Sequence, residues 1–282
     1  MLNRPEVVLL SRLGATAWYP AIGLVFAILV VIGSRYVAVF TVASAAAGIM
    51  IYHQPLYSWG TLIGAPVGTA VYAFAGQLLR GRFEIETSLS RRVDVLRYLA
   101  VSLTAAILAT LTGVACLWAD HTIQSNQFWT SAAAWYFGDT IGLLSVAPFL
   151  MIHVMPWLKR QIVAVPSEKS PTRDATKRLA HAVTLFDMVE FTAFGGSFVV
   201  AFWFMFGGPV GMEVLYIAFI PIVCIAMRRG IRGVVTGLLV LNFGIVISLR
   251  FVTASPMIFS KIEFLMLSVS ATGLALGAGI SE

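Results

Sequence analysis

The feature that most constrains this chain is a succession of apolar stretches separated by short polar connections. We place them at residues 18–34, 36–52, 58–79, 98–118, 133–157, 187–206, 211–227, 233–250 and 261–280. Given some tilt, each is long enough to approach or cross a hydrocarbon core of about 30 Å, although the first two are short. The sequence therefore predicts an all-α transmembrane bundle with about nine spans, within a range of 8–10, that fills residues 1–282.

Composition excludes a soluble alternative. Charged residues make up 11% of the chain and hydrophobic residues 59%, whereas a soluble domain carries about 25% charged residues because its surface faces water. Most of the surface must therefore face lipid, and the bilayer itself is the first expected partner.

Basic residues alternate between the connections. Five Arg lie in 80–97, six Lys or Arg in 159–178 and three Arg in 228–232, while 53–57, 119–132 and 207–210 contain none. The positive-inside rule then predicts cytoplasmic loops at about 80–97, 158–186 and 228–232 and a cytoplasmic C-terminus. Because the basic residues are explained by topology, no nucleic-acid partner is expected. Residues 1–17 fit less well, and either a preceding span or a partial helix would accommodate them.

No motif for soluble chemistry is present. The chain lacks GxxxxGK[ST], GxGxxG after a strand, and HExxH, so neither a catalytic residue nor a cofactor is expected. Three ligand-type side chains, His53, Asp120 and His121, fall at predicted helix ends on one side. Their separation in sequence favours polar helix ends over a metal site, and no metal is expected.

One acidic residue stands out within a span. The stretch WYFGDTIGLLSVAP, residues 135–148, contains Asp139 as the only acid between Ala132 and Trp157. An Asp at the centre of a span costs roughly 2.5–3.5 kcal/mol, and intramembrane ionisable groups are candidates for function. Trp129 and Trp135, as interfacial aromatic residues, indicate that Asp139 lies near one membrane surface. Gly138 and Gly142 allow a neighbouring helix to approach closely. Asp139 is expected to serve either a structural hydrogen bond or signal sensing.

The same stretch resembles the signature of the membrane-associated sensor family of the first type, the MASE domains. The matching residues are Trp135, Gly138, Asp139, Gly142, Leu144 and Pro148, preceded by Trp18, Pro20 and Ala21 and followed by Arg228, Gly230, Arg232 and Gly233. The likeness covers essentially the whole chain. It departs at Ile22, where the family has Gly, and at Ala65 and Gly68, which replace a polar Asn and Glu.

This resemblance implies the membrane sensory input module of a bacterial diguanylate cyclase or histidine kinase, without catalytic activity of its own. Such a module detects an unknown small-molecule or protein stimulus, and the span 261–280 leads to a cytoplasmic output domain beyond the sequence given. A secondary transporter or permease of small solutes is the alternative function, and it would need a polar path through the midplane.

Several further residues are candidates for sensing or packing. Glu213 could line the same cavity as Asp139 or interact with a helix N-terminus. Gly64 and Gly68 have the spacing of a helix-packing motif, and Arg228 and Arg232 are expected to be cytoplasmic anchors. Gly273 and Gly277 could form part of a homodimer interface, since outputs of this type act as dimers, or pack within their own bundle.

Overall fold

The computed structural model describes residues 18–158, 185–207, 216–249 and 256–282, and all regular structure in these ranges is helical. The helices are α1 (Pro20–Val31), α2 (Val37–Tyr52), α3 (Ala65–Gln77), α4 (Arg92–Ala119), α5 (Phe128–Phe149), α6 (Leu185–Phe202), α7 (Phe219–Leu249) and α8 (Pro256–Ser281). Single π-helical turns precede α3 at Gly60–Gly64 and extend α3, α5 and α6 at Leu78–Arg82, Leu150–Val154 and Trp203–Gly207. The all-α prediction is confirmed for the described residues.

The expected nine spans are not confirmed. Within the described ranges six helices are long and apolar enough to cross a membrane: Ser34–Ile51, Gly60–Arg82, Arg92–Ala119, Ser125–Leu158, Tyr216–Leu249 and Phe259–Ser281. Two expected spans correspond to the shorter apolar helices Pro20–Val31 and Thr192–Gly207. Helix α1 has 12 residues because Pro20 starts it and Gly33, at φ +114°, follows its last turn. It is therefore about 18 Å long at 1.5 Å per residue.

The last difference lies in α7, which contains residues of two expected spans, 211–227 and 233–250, in one helical element. Gly230 adopts φ 57° and ψ −150°, outside the helical region. On either side of it the chain folds back on itself, because a Cβ on Gly237 would lie 3.0 Å from Ile225 Cδ1 and 3.2 Å from Ile222 Cδ1. A straight helix would hold residues 222 and 237 about 22 Å apart. The chain therefore reverses direction at Gly230, within the loop predicted at 228–232.

Helix α5 lies at the centre of the bundle. It contacts α1, α4, α7 and α8, and Ile141, Leu143, Leu144 and Ala147 are completely buried. Helix α2 is peripheral, since no residue of Ser34–Ile51 is buried, and it packs on α3. Helix α5 therefore packs against four of the seven other helices.

The glycines of α8 pack within the chain. A Cβ on Gly273 would lie 3.0 Å from Ile222 Cγ2, and a Cβ on Gly277 would lie 2.9 Å from Val234 Cγ2 and 3.1 Å from the Cα of Ile231. These glycines therefore let α8 approach α7 closely, as the second of the two sequence interpretations holds. A dimer would need another face of the domain.

The two glycines near the start of α3 behave differently from each other. A Cβ on Gly64 would make ordinary contact with Cys116 Sγ at 3.6 Å, whereas a Cβ on Gly68 would meet no atom within 4 Å. No described atom therefore lies close enough to Gly68 to support close helix packing there, and that expectation stays a prediction.

Candidate functional site

Asp139 has its hydrogen-bond partner on α3. The hydroxyl of Tyr72 donates to Asp139 Oδ2 at 2.7 Å, across 67 positions of sequence. Tyr72 is 3% exposed and Asp139 is partly buried. The acid in the middle of the apolar stretch is therefore satisfied by a buried phenol, and the bond joins the central helix to α3.

Tyr72 is positioned by α1. Its ring packs edge-to-face on Phe26, with 6.1 Å between the ring centroids. One turn further along α3, a Cβ on Gly76 would lie 3.2 Å from the carbonyl carbon of Leu29 and 3.3 Å from the amide nitrogen of Val30. The absence of a side chain at Gly76 thus lets α1 approach α3, and this approach holds the phenol in reach of Asp139.

Helix α1 also makes the close approach that Gly138 and Gly142 predict. The amide of Tyr19 donates to the carbonyl oxygen of Gly138 at 3.1 Å. A Cβ on Gly142 would overlap the carbonyl oxygen of Tyr19, and a Cβ on Gly23 would overlap the carbonyl oxygen of Gly142. The two backbones are in direct contact at this crossing, beside Asp139.

The aromatic residues of the signature serve packing. Trp18 is 6% exposed and packs edge-to-face on Phe243 of α7, 5.9 Å between centroids, while its Nε1 has no hydrogen-bond partner among the described residues. Trp135 lies against Gly113 of α4, where a Cβ would overlap its ring. Of the two tryptophans expected near the membrane surface, Trp129 is 74% exposed, whereas Trp135 is partly buried.

Sequence reasoning missed several polar partners. Tyr72 is one, and Tyr98 is another: its hydroxyl donates to the carbonyl oxygen of Leu143 at 2.6 Å in the core. Asn242 Nδ2 donates to Ser270 Oγ at 3.0 Å and joins α7 to α8. The sequence does not reveal this role. A tyrosine in an apolar stretch can bury its ring and leave its hydroxyl at the surface, or it can bond a buried partner, and both cases look the same in the sequence.

A family model, MASE1, matches residues 4–282 of this chain. The chain belongs to the MASE1 family. The family predicted from the signature residues is thereby confirmed, and MASE1 domains are membrane sensory domains rather than catalytic ones. No curated protein and no solved structure matches the chain.

This MASE1 domain brings together only part of the predicted site. Asp139, Gly138, Gly142 and Pro20, the first residue of α1, lie at one crossing, whereas Trp135 packs on another helix. Glu213 lies outside the described residues. The structure is therefore that of a multi-pass membrane sensory domain in which Gly138 and Gly142 contact α1 and Asp139 contacts α3.

The remaining polar candidates lie at the two ends of the bundle. Arg228 and Arg232 are exposed, and the neighbouring Arg229 pairs with Glu190 of α6 at 2.6 Å. At the other end, Asp120 accepts hydrogen bonds from the amides of Trp59 and Gly60 at 2.8 and 3.1 Å. The described residues contain no cluster of three metal-ligand side chains, and Asp120 has a structural task at the start of the Gly60–Gly64 turn.

Proposed function

We propose that this MASE1 domain detects an extracytoplasmic or membrane stimulus and transmits it through α8 to a cytoplasmic signalling output. The output is either cyclic-di-GMP synthesis or a histidine kinase. The family supports the sensory part of this proposal. The hydrogen bond from Tyr72 to Asp139 carries the assignment of the sensing site, because it is a polar contact between two helices inside an apolar bundle.

The Tyr72–Asp139 contact suits a two-state element. The bond crosses from α3 to α5 beside the point where the backbones of α1 and α5 touch, so a shift of α3 relative to α5 would lengthen or break it. A stimulus acts by stabilising one of the two packings more than the other. Trp18 Nε1, which is buried and has no hydrogen-bond partner among the described residues, would be a further donor for such a change at this end of α1.

Sidedness follows from the arginines. Arg80, Arg92 and Arg228 belong to the end of the bundle where α8 finishes, which we call the arginine end, and Asp120 lies at the opposite end. The positive-inside rule assigns the arginine end to the cytoplasm of a bacterial inner membrane. Helix α8 then ends in the cytoplasm, where an output domain would continue.

A reporter fusion tests the proposal. Residues 1–282 are fused through α8 to a diguanylate cyclase domain, and cyclic-di-GMP is measured in cells that express equal amounts of each variant. Asp139→Asn and Tyr72→Phe are expected to change the output, whereas Tyr57→Phe, at a tyrosine that is 84% exposed, should leave it unchanged. Parental output from both site variants, across growth conditions, would contradict the sensing role of this pair.

The transporter alternative and the homodimer are tested separately. Purified domain in proteoliposomes should take up no small solute, and saturable uptake would favour the permease function. We also propose a homodimer, because outputs of the cyclase and kinase types act as dimers. Its mass in a mild detergent should be that of two chains, and a single-chain mass would contradict the dimer.

A further inference from the structure

The last turn of α8 is held by an arginine from the start of α4. Arg92 Nη2 donates to the carbonyl oxygen of Gly279 at 3.0 Å, and Arg92 Nε lies 3.2 Å from Glu282 Oε2. The Arg92 side chain is 65% exposed, so the contact is weak enough to be broken without unfolding the bundle.

The same turn is held a second time by the reversal in α7. The amide of Ile231 donates to Ser281 Oγ at 2.8 Å. Gly230, at φ +57°, stands directly against this hydroxyl, because a Cβ there would overlap Ser281 Oγ. A glycine is required at this point both by its backbone conformation and by the close approach of α8.

Both holding elements are hydrogen-bonded to α5 or its extension. Tyr98, six residues after Arg92 on α4, donates to the carbonyl oxygen of Leu143. His153, in the turn that extends α5, lies with Nε2 3.1 Å from the carbonyl oxygen of Arg232, the residue after Ile231. The helix that carries Asp139 is therefore joined to each of the two points that fix the end of α8.

We infer that Arg92 and the 230–232 turn form a two-point clamp on the end of α8, and that this clamp converts a movement of α5 into a displacement of α8. The inference rests on the proposed function in one respect only, that the displacement of α8 carries the signal to an output domain. Arg92, Ser281 and His153 act as positioning residues, since none of them contacts Asp139 in this structure. Two holding points fix the direction of the helix end as well as its position, whereas a single point would let α8 pivot.

Distance measurements on the whole chain test the clamp directly. In a background where Cys116 and Cys224 are replaced by Ala, spin labels are placed at Val93 and Ile280, which are both exposed. The distance distribution between the labels is recorded in lipid nanodiscs. The parent should give one narrow distribution, and the double variant Arg92→Ala/Ser281→Ala should give a broader one with a different mean.

The coupling to the site is tested in the same samples. Asp139→Ala should shift the distribution in the parent and should add no further shift once the clamp is removed. His153→Leu should likewise reduce the shift caused by Asp139→Ala, and His153→Gln, which can still donate to the Arg232 carbonyl, should preserve it. The matched control is Arg91→Ala, because the hydrogen bond and the ion pair to the described part of α8 both come from Arg92 and not from its neighbour Arg91.

Three results would overturn the clamp. The double variant could give the same distance distribution as the parent, or Asp139→Ala could shift the distribution of the double variant as much as that of the parent. Asp139→Ala could also leave the distribution of the parent unchanged. Each variant is first checked for membrane yield and a single size-exclusion peak. The proposed function is tested by a different measurement, the cyclase output of the fusion. It is contradicted if substitutions of Asp139 and Tyr72 leave that output unchanged, whatever the distance between the labels.

Discussion

Replacing Gly142 by Ala should test whether the crossing of α1 and α5 is as close as the structure shows. A Cβ at this position would overlap the carbonyl oxygen of Tyr19 and lie 3.1 Å from its carbonyl carbon and from Ile22 Cγ2. Two of these three atoms belong to the backbone, which cannot move aside like the end of a flexible side chain. Helix α1 would have to shift as a unit and would weaken the bond from the Tyr19 amide to Gly138.

The loss of unfolding free energy in Gly142→Ala is obtained by comparison with Gly68→Ala. Overpacking costs about 1–3 kcal/mol, while exchanging Gly for Ala inside a helix gains about 0.8–1.0 kcal/mol. At Gly68 a Cβ would meet nothing within 4 Å, so that variant should show the helical gain alone. The gain is common to both variants, and the difference between them therefore isolates the overlap, at about 1–3 kcal/mol.

This difference is measured by thermal unfolding in detergent, with the loss of the size-exclusion peak as the readout. At roughly 2–4 °C per kcal/mol for a chain of this size class, Gly142→Ala should unfold roughly 2–12 °C below Gly68→Ala. Gly23→Ala should show a similar loss, and the two losses should add incompletely because both glycines belong to one crossing. Equal unfolding temperatures for Gly142→Ala and Gly68→Ala would refute the packing argument.

Three other predictions address the polar contacts and the topology. Tyr72→Phe should lower stability by about 1–3 kcal/mol, because it leaves the partly buried Asp139 carboxylate without its donor; an unchanged unfolding temperature would contradict this. Asp120→Ala should lower stability by about 1 kcal/mol in the same assay, through loss of its two hydrogen bonds to backbone amides. Single cysteines at Ser125 and Ser170 should differ in labelling by an impermeant reagent on intact cells, and labelling at position 170 alone would reverse the proposed sidedness.

The sequence predicted the class of the protein, its helical structure and its family, because these depend on local properties. Apolar length and the alternation of arginines are read along the chain, and so is the order of the signature residues. The nine expected spans are not confirmed, because only six helices of the described residues are long and apolar enough to cross a membrane. The same reading took residues 18–34 as a single stretch, although Gly33 at φ +114° ends α1 after 12 residues, and the backbone angle of one glycine is not visible in hydropathy.

Only the tertiary structure decided which residues meet. The sequence marked Asp139 but not Tyr72, and it left open whether Gly273 and Gly277 face a second chain or α7. The physical reason is that lipid and protein neighbours are equally apolar, so hydrophobicity does not tell which face of a membrane helix is turned inward. The rotation of each helix about its axis, set by close packing and by a few hydrogen bonds between helices, placed Tyr72 beside Asp139 and covered the glycines of α8 with α7.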